Sequence, residues 1–183
     1  MQRALVVVDM QNDYFPGGNM ELVGMEAAAT KVAHLLAMFR DRNWPILHIQ
    51  HLSIRPGSTF FIPETEGVQI HGSVAPLGDE PVITKHYPNS FRETSLQDEL
   101  HGHAVNDLVV CGAMSHMCID TTVRAAFDLG FNSIVVADGC ATRDLAYDNR
   151  IIEAAQVHGA FMAALGAVFA RVTELAELEE LLE

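Results

Sequence analysis

An open, mostly parallel α/β sheet is the fold class this sequence predicts. Short β-branched runs alternate with longer stretches of helical spacing along the whole chain. The first run, Ala4 to Asp9 (ALVVVD), is apolar throughout until it ends in an acid. A strand buried on both faces has this composition, because crossover helices cover both sides of a parallel sheet. The alternation implies βαβ units with right-handed crossovers. At 183 residues, one domain over 1–183 with one substantial core is expected.

The elements follow in order. Gly24 to Arg42 carries Ala28, Val32, Leu35, Leu36 and Phe39 at helical spacing. Pro45 to Gln50 is a second strand. Arg55 to Glu80 is rich in Gly, Pro, Ser and Thr and is predicted to be a long loop of the functional kind. Pro81 to Lys85 is a short strand ending in a lysine, and Thr94 to His101 a short helix with Leu96 and Leu100 on one face. Ala104 to Gly112 is a strand and Ser115 to Leu129 a helix stopped by Gly130. Asn132 to Asp138 is a strand, Tyr147 to Leu165 a long helix, and Ala167 to Val172 a last strand before an acidic helix.

Composition narrows the function. A net charge of −13, with 11 Lys and Arg, leaves too few cations to neutralise phosphates and excludes nucleic acid as a partner. No apolar run has the length of a membrane span, so no membrane partner is expected. The N-terminal MQRALVVVDM has no cleavage-site pattern, so a cytoplasmic protein is expected. Three cysteines, Cys111, Cys118 and Cys140, form no CxxC pair and suggest no disulfide framework. Cys111 lies inside an apolar strand and is assigned to the core, and Cys140 to structure.

In open α/β sheets, ligands bind beyond the carboxyl ends of the strands. Asp9 ends the first strand, Lys85 ends the third, and Cys118 follows the fourth. An acid, a base and a thiol thus meet at one edge. Cys118 stands near a predicted helix start, where free N–H groups, together with a nearby lysine, are expected to lower a thiol pKa. The loop DMQNDYFPGG has neither GxGxxG nor GxxxxGK[ST], so a phosphate cradle is not supported. Asn12 and Asp13 are expected to brace this loop, with Asp13 orienting Lys85. Arg124 and Asp128 are spaced to pair on a helix.

Three segments resemble the isochorismatase-like cysteine hydrolases: DMQNDY (Asp9 to Tyr14), the lysine of VITKHYPNSF, and GAMSHMCIDTTVRAAFDLGF (Gly112 to Phe131). VVADGCATRD (Val135 to Asp144) also resembles the segment after the family's next strand. The resemblance implies a single-domain, three-layer α/β/α fold around a six-stranded, mostly parallel, Rossmann-like sheet. It implies that Cys118 is the nucleophile, that Asp9 exchanges a proton with it, and that Lys85 stabilises the thiolate and orients the acid. It places a cis peptide between Ala113 and Met114 and an oxyanion hole at the N–H groups of Met114 and Cys118. Phe15, Tyr87 and His116 are candidates to line the substrate pocket. Homodimers or homotetramers are common in the family, and Phe161 to Phe169 and Leu175 to Leu182 are candidate contact segments.

The activity so implied is metal-independent hydrolysis of a C–N bond in a small amide, carbamoyl or ureido substrate, through a thioester. Nicotinamidases in the family hold a metal with an Asp and two histidines, beginning as Asp-x-His after the second strand. Here HIQHLS puts His51 where that aspartate would fall. His48, His51 and His71 have no zinc-motif spacing, so neither metal nor other cofactor is expected. Isochorismatases that cleave a vinyl ether commonly lack the cysteine. A nicotinamidase-type or isochorismatase-type hydrolase and a non-catalytic small-molecule-binding homologue remain the alternatives.

Overall fold

The computed structural model describes residues 2–182. β1 (Gln2–Val8) forms where the apolar run predicts it. It pairs in parallel with β2 (Ile46–His51) on one side and β4 (Val105–Ala113) on the other. β3 (Val82–Lys85), β5 (Asn132–Ala141) and β8 (Arg171–Thr173) complete a six-stranded parallel sheet in the order β3-β2-β1-β4-β5-β8. The order reverses between β1 and β4, the switch point where such sheets open a crevice.

Period-two alternation divides the core between the two faces. Leu5 and Val7 point to the side covered by α1 (Met25–Asp41) and α5 (Leu175–Leu182). Ala4, Val6 and Val8 point to the side covered by α2 (Leu96–Gly102), α3 (Asp120–Asp128) and α4 (Ala154–Val168). Ala4 to Val8 are all buried. The three-layer, single-domain architecture is therefore as expected. Among the described residues, no helix is long and apolar enough to cross a membrane. In α5, Leu175 and Leu178 are buried in the core, which leaves Leu181 as its exposed large apolar residue.

Three expectations are corrected. The helix expected from Tyr147 begins instead at Ala154, and a hairpin of β6 (Leu145–Tyr147) and β7 (Arg150–Ile152) precedes it. Asp148 and Asn149 both take positive φ, at 48° and 56°, the geometry of a two-residue turn whose twist matches paired strands. The Asp-Asn pair between LAY and RII was the local signal. α4 then runs on to Val168, so the last strand starts only at Arg171. The helix expected from Ser115 opens as a wide π turn, Ser115–Ile119, and α3 starts at Asp120.

Gly112 sets the spacing of the central strands. Its φ is +120°, and a Cβ there would collide with the backbone carbonyl of Val8 on β1. Gly112→Ala should therefore cost about 3 kcal/mol or more, since a strained φ and a backbone clash add. The urea midpoint reads this directly, and an unchanged midpoint would show that the strands separate freely.

Candidate active site

Four side chains meet beyond the carboxyl ends of β1, β2, β3 and β4. Asp9 follows β1 with a φ of 52°, in the left-handed region. That single residue breaks the strand and re-aims the carboxylate. His51 and Lys85 end β2 and β3 as direct register partners, so they leave the sheet on the same side. Cys118 is carried by the π turn after β4. The peptide between Ala113 and Met114 is cis, at the expected position.

Lys85 Nζ is the hub. It lies 2.7 Å from Asp9 Oδ2, 3.2 Å from Cys118 Sγ, 2.9 Å from His51 Nδ1 and 3.2 Å from the Tyr87 carbonyl oxygen. The Asp9 and Lys85 side chains are both completely buried. Their 2.7 Å contact is a close charge-assisted pair, and the Asp9 carboxylate keeps further lone pairs open.

Burial and charge set the protonation states. Burial alone would lower the Lys85 pKa, but the Asp9 carboxylate outweighs it and holds the ammonium form. Burial pushes the Cys118 thiol up, Asp9 adds to this, and Lys85 opposes both. The expectation of a depressed thiol pKa is thus corrected: Cys118 sits inside the turn that precedes α3, and desolvation wins over the lysine. The resting site holds a neutral thiol beside an Asp–Lys ion pair. His51 is pushed down to about 4, first by burial, so its imidazole is neutral and Nδ1 accepts from Lys85. Burial also raises Tyr14 well above the usual phenol range, with the Asp9 and Asp13 charges assisting.

A cavity of about 220 Å³ opens over Cys118. Tyr14, Phe60, Tyr87, Met114 and Met117 form apolar walls, and His51, Arg55 and His86 bring polar groups. Of the expected pocket residues, Tyr87 lines this space and Phe15 and His116 do not. Phe15 is buried and stacks on His71 at 3.7 Å, because the loop turns its ring away from Cys118. The His116 Nδ1 is 2.6 Å from the Thr142 hydroxyl, and its ring packs on Phe161.

A family model described as an isochorismatase domain matches residues 3–177. The chain belongs to the isochorismatase family. Within that family it is 52% identical over 172 residues to the protein YddQ of Bacillus subtilis, a match covering 94% of this chain and 96% of that one. A crystal structure of an isochorismatase hydrolase from Oleispira antarctica has 46% identity and a TM-score of 0.93, covering 97% of this chain and 95% of the other. Streptothricin hydrolase of Streptomyces noursei is 33% identical over 144 residues, which is 78% of this chain and 51% of that protein. Isochorismatase-family members include amidohydrolases, and this chain is a hydrolase of the family.

Some family members hold a metal, so the fit of one deserves a test. Asp9, His51 and Cys118 each offer a ligand atom, and these lie within 4.8 Å of one another. The Lys85 ammonium, however, contacts all three groups. A divalent ion about 3 Å from that ammonium would be repelled by roughly 10 kcal/mol at an effective dielectric of 20. The three groups surround an ammonium, and the site does not fit a divalent cation.

The loop from Arg55 to Glu80 is sewn over this isochorismatase-family site by Gln11, Asn12 and Asp13. Gln11 Nε2 donates to the carbonyls of Val68 and His51, and Asn12 Nδ2 to that of Glu66. Buried Asp13 accepts from the Phe61 N–H at 2.6 Å and from Asn19. Through Asn19, Asp13 braces its own loop after β1 as expected, and through Phe61 it also holds the second loop, but it makes no hydrogen bond or ion pair with Lys85. Its carboxylate also fills the space a Cβ on Gly67 would need. Arg124 pairs with Asp120, one turn N-terminal, instead of with Asp128.

Four histidines, His48, His51, His116 and His158, are held below the ordinary 6.5, each first by burial. The unfolded chain takes up these protons as the pH falls below about 6.5, and the folded chain does not until lower pH. Stability should therefore decline from pH 6.5 towards 4. Urea midpoints at pH 7.5, 5.5 and 4.5 check this, and a flat profile would contradict it.

Proposed function

We propose that this protein hydrolyses a C–N bond of a small amide, carbamoyl or ureido compound through a Cys118 thioester, without a metal. The observation that carries the reading is Lys85 Nζ, held at once 2.7 Å from Asp9 and 3.2 Å from Cys118, the residue over which the cavity opens. Relatives named nicotinamidase, streptothricin hydrolase and maleamate amidohydrolase support the reaction class.

Because the resting thiol is neutral, attack must be coupled to proton removal. Sγ forms a bond to the substrate carbonyl carbon while the thiol proton passes to an open lone pair of Asp9. Negative charge develops on the carbonyl oxygen, and the N–H groups of Met114 and Cys118 are assigned to it. The Met114 N–H supports this role, having no hydrogen-bond partner among the described residues. Asp9 then returns the proton to the departing nitrogen, and ammonia or an amine leaves. Water attacks the thioester, giving its proton to Asp9, and the acid and free thiol are regenerated. Lys85 remains charged throughout and holds the carboxylate beside the sulfur.

Trapping tests the thioester. Rapid quenching during turnover of a primary amide should give an acyl adduct on the peptide containing Cys118, and hydroxylamine should release it as a hydroxamate. Turnover with no adduct at that peptide, and no effect of substitution there, would overturn the reading.

A further inference from the structure

The chain sets 11 Lys and Arg against 24 Asp and Glu, so an unpartnered cation is conspicuous. Lys31, Arg40, Lys85, Arg92, Arg124 and Arg171 each hold a carboxylate. Arg3 and Arg42 lie over Trp44, and Arg143 donates to Met20 Sδ and the Asp144 carbonyl. Among the described residues, only the guanidinium groups of Arg55 and Arg150 make no ion pair, hydrogen bond or aromatic contact. Arg150 belongs to β7, and it does not line the cavity over Cys118. Arg55 does line it.

The backbone under Arg55 is fixed. Ser58 N–H donates to the Arg55 carbonyl, Ser53 N–H donates to the Phe61 carbonyl, and the Ser53 and Ser58 hydroxyls bond to each other. A tight turn therefore places Arg55, an exposed residue, at the cavity wall. Its charge reaches the floor of the site, where it contributes to keeping His51 unprotonated. A protein of net charge −13 repels anions from most of its surface, so admitting one requires a local cation. The 220 Å³ of the cavity equals roughly seven water volumes, room for a short chain with polar ends.

We propose that Arg55 binds a carboxylate of the substrate, which is thus a small acid amide with its anionic end remote from the scissile bond. The inference rests on the hydrolase reading above and narrows it. The guanidinium fork takes both carboxylate oxygens, while Phe60, Tyr87 and Met117 flank the apolar spacer. The scissile carbonyl then faces Cys118.

Calorimetry on the Cys118→Ser protein separates binding from turnover. Malonamate, succinamate and glutaramate are compared with the neutral amides propionamide, butyramide and pentanamide of matching chain length. At least one acid amide should bind about tenfold or more tightly than its neutral partner. Arg55→Met in the same background should abolish that preference and leave the neutral amide unchanged, and Arg55→Lys should restore part of it. Equal binding within every pair, or a preference that survives Arg55→Met, overturns the proposal. A carboxylate preference in a wild-type protein that turns over no amide would instead overturn the hydrolase reading and leave the anion site standing.

Discussion

Cys118→Ser will fold like the parent and lose turnover by about 10⁴-fold or more, the scale seen when a nucleophile is removed from a catalytic unit. The substitution exchanges one buried atom for a slightly smaller one, and the Lys85 ammonium can still donate to it. Stability should change by no more than about 1 kcal/mol. Activity cannot survive in the same way. Asp9 must take the nucleophile's proton as the new bond forms, and a serine hydroxyl is far less acidic than a thiol. Parallel circular dichroism melts and kcat/KM for a primary amide decide the matter, and activity within tenfold of the parent would remove Cys118 from the mechanism. The neutral resting thiol has a further signature. Iodoacetamide should label Cys118 with an apparent pKa no lower than the ordinary ~8.5 of a free thiol. Labelling with a pKa near 7 would mean that Lys85 outweighs burial after all.

Much of this site was legible because it follows from sheet topology. An apolar run ending in Asp9, a strand ending in Lys85 and a thiol just past the fourth strand all belong at one sheet edge. The strand ends are local properties, and a parallel sheet brings them together. What the sequence did not disclose depends on distances between segments. In the sequence His51 suggests only a metal ligand, yet its register with Lys85 makes it an acceptor for the ammonium. Phe15 and His116 sit beside the right motifs, but their side chains turn towards His71 and Thr142. The thiol pKa departs from expectation for a similar reason. Helix polarity can be read from sequence, whereas the desolvation of Cys118 depends on how closely the loop over it packs. The hairpin before α4 was hidden by apolar residues that fit either a strand or a helix, and only the Asp148-Asn149 turn distinguishes them.

Lys85→Met should damage stability as well as activity, and the two losses can be separated. The methionine fills most of the lysine's volume but leaves Asp9 as a completely buried carboxylate without its cation. Removing one partner of a buried pair typically costs about 3–5 kcal/mol, whereas replacing both can be neutral. Adding Asp9→Asn to Lys85→Met should therefore recover most of the lost stability, giving a coupling of opposite sign to simple additivity. Activity should show no such recovery. The Lys85→Met single variant keeps the proton acceptor but loses the cation that holds it beside Cys118, and the double variant loses both. Urea midpoints and kcat/KM for the four proteins of this cycle form the test. A double variant as unstable as Lys85→Met would mean that the lysine acts mainly through its other three partners, His51, Cys118 and the Tyr87 carbonyl. Recovered stability with turnover still absent would show that this buried pair is maintained for proton transfer, because an uncharged site of the same shape would fold as well.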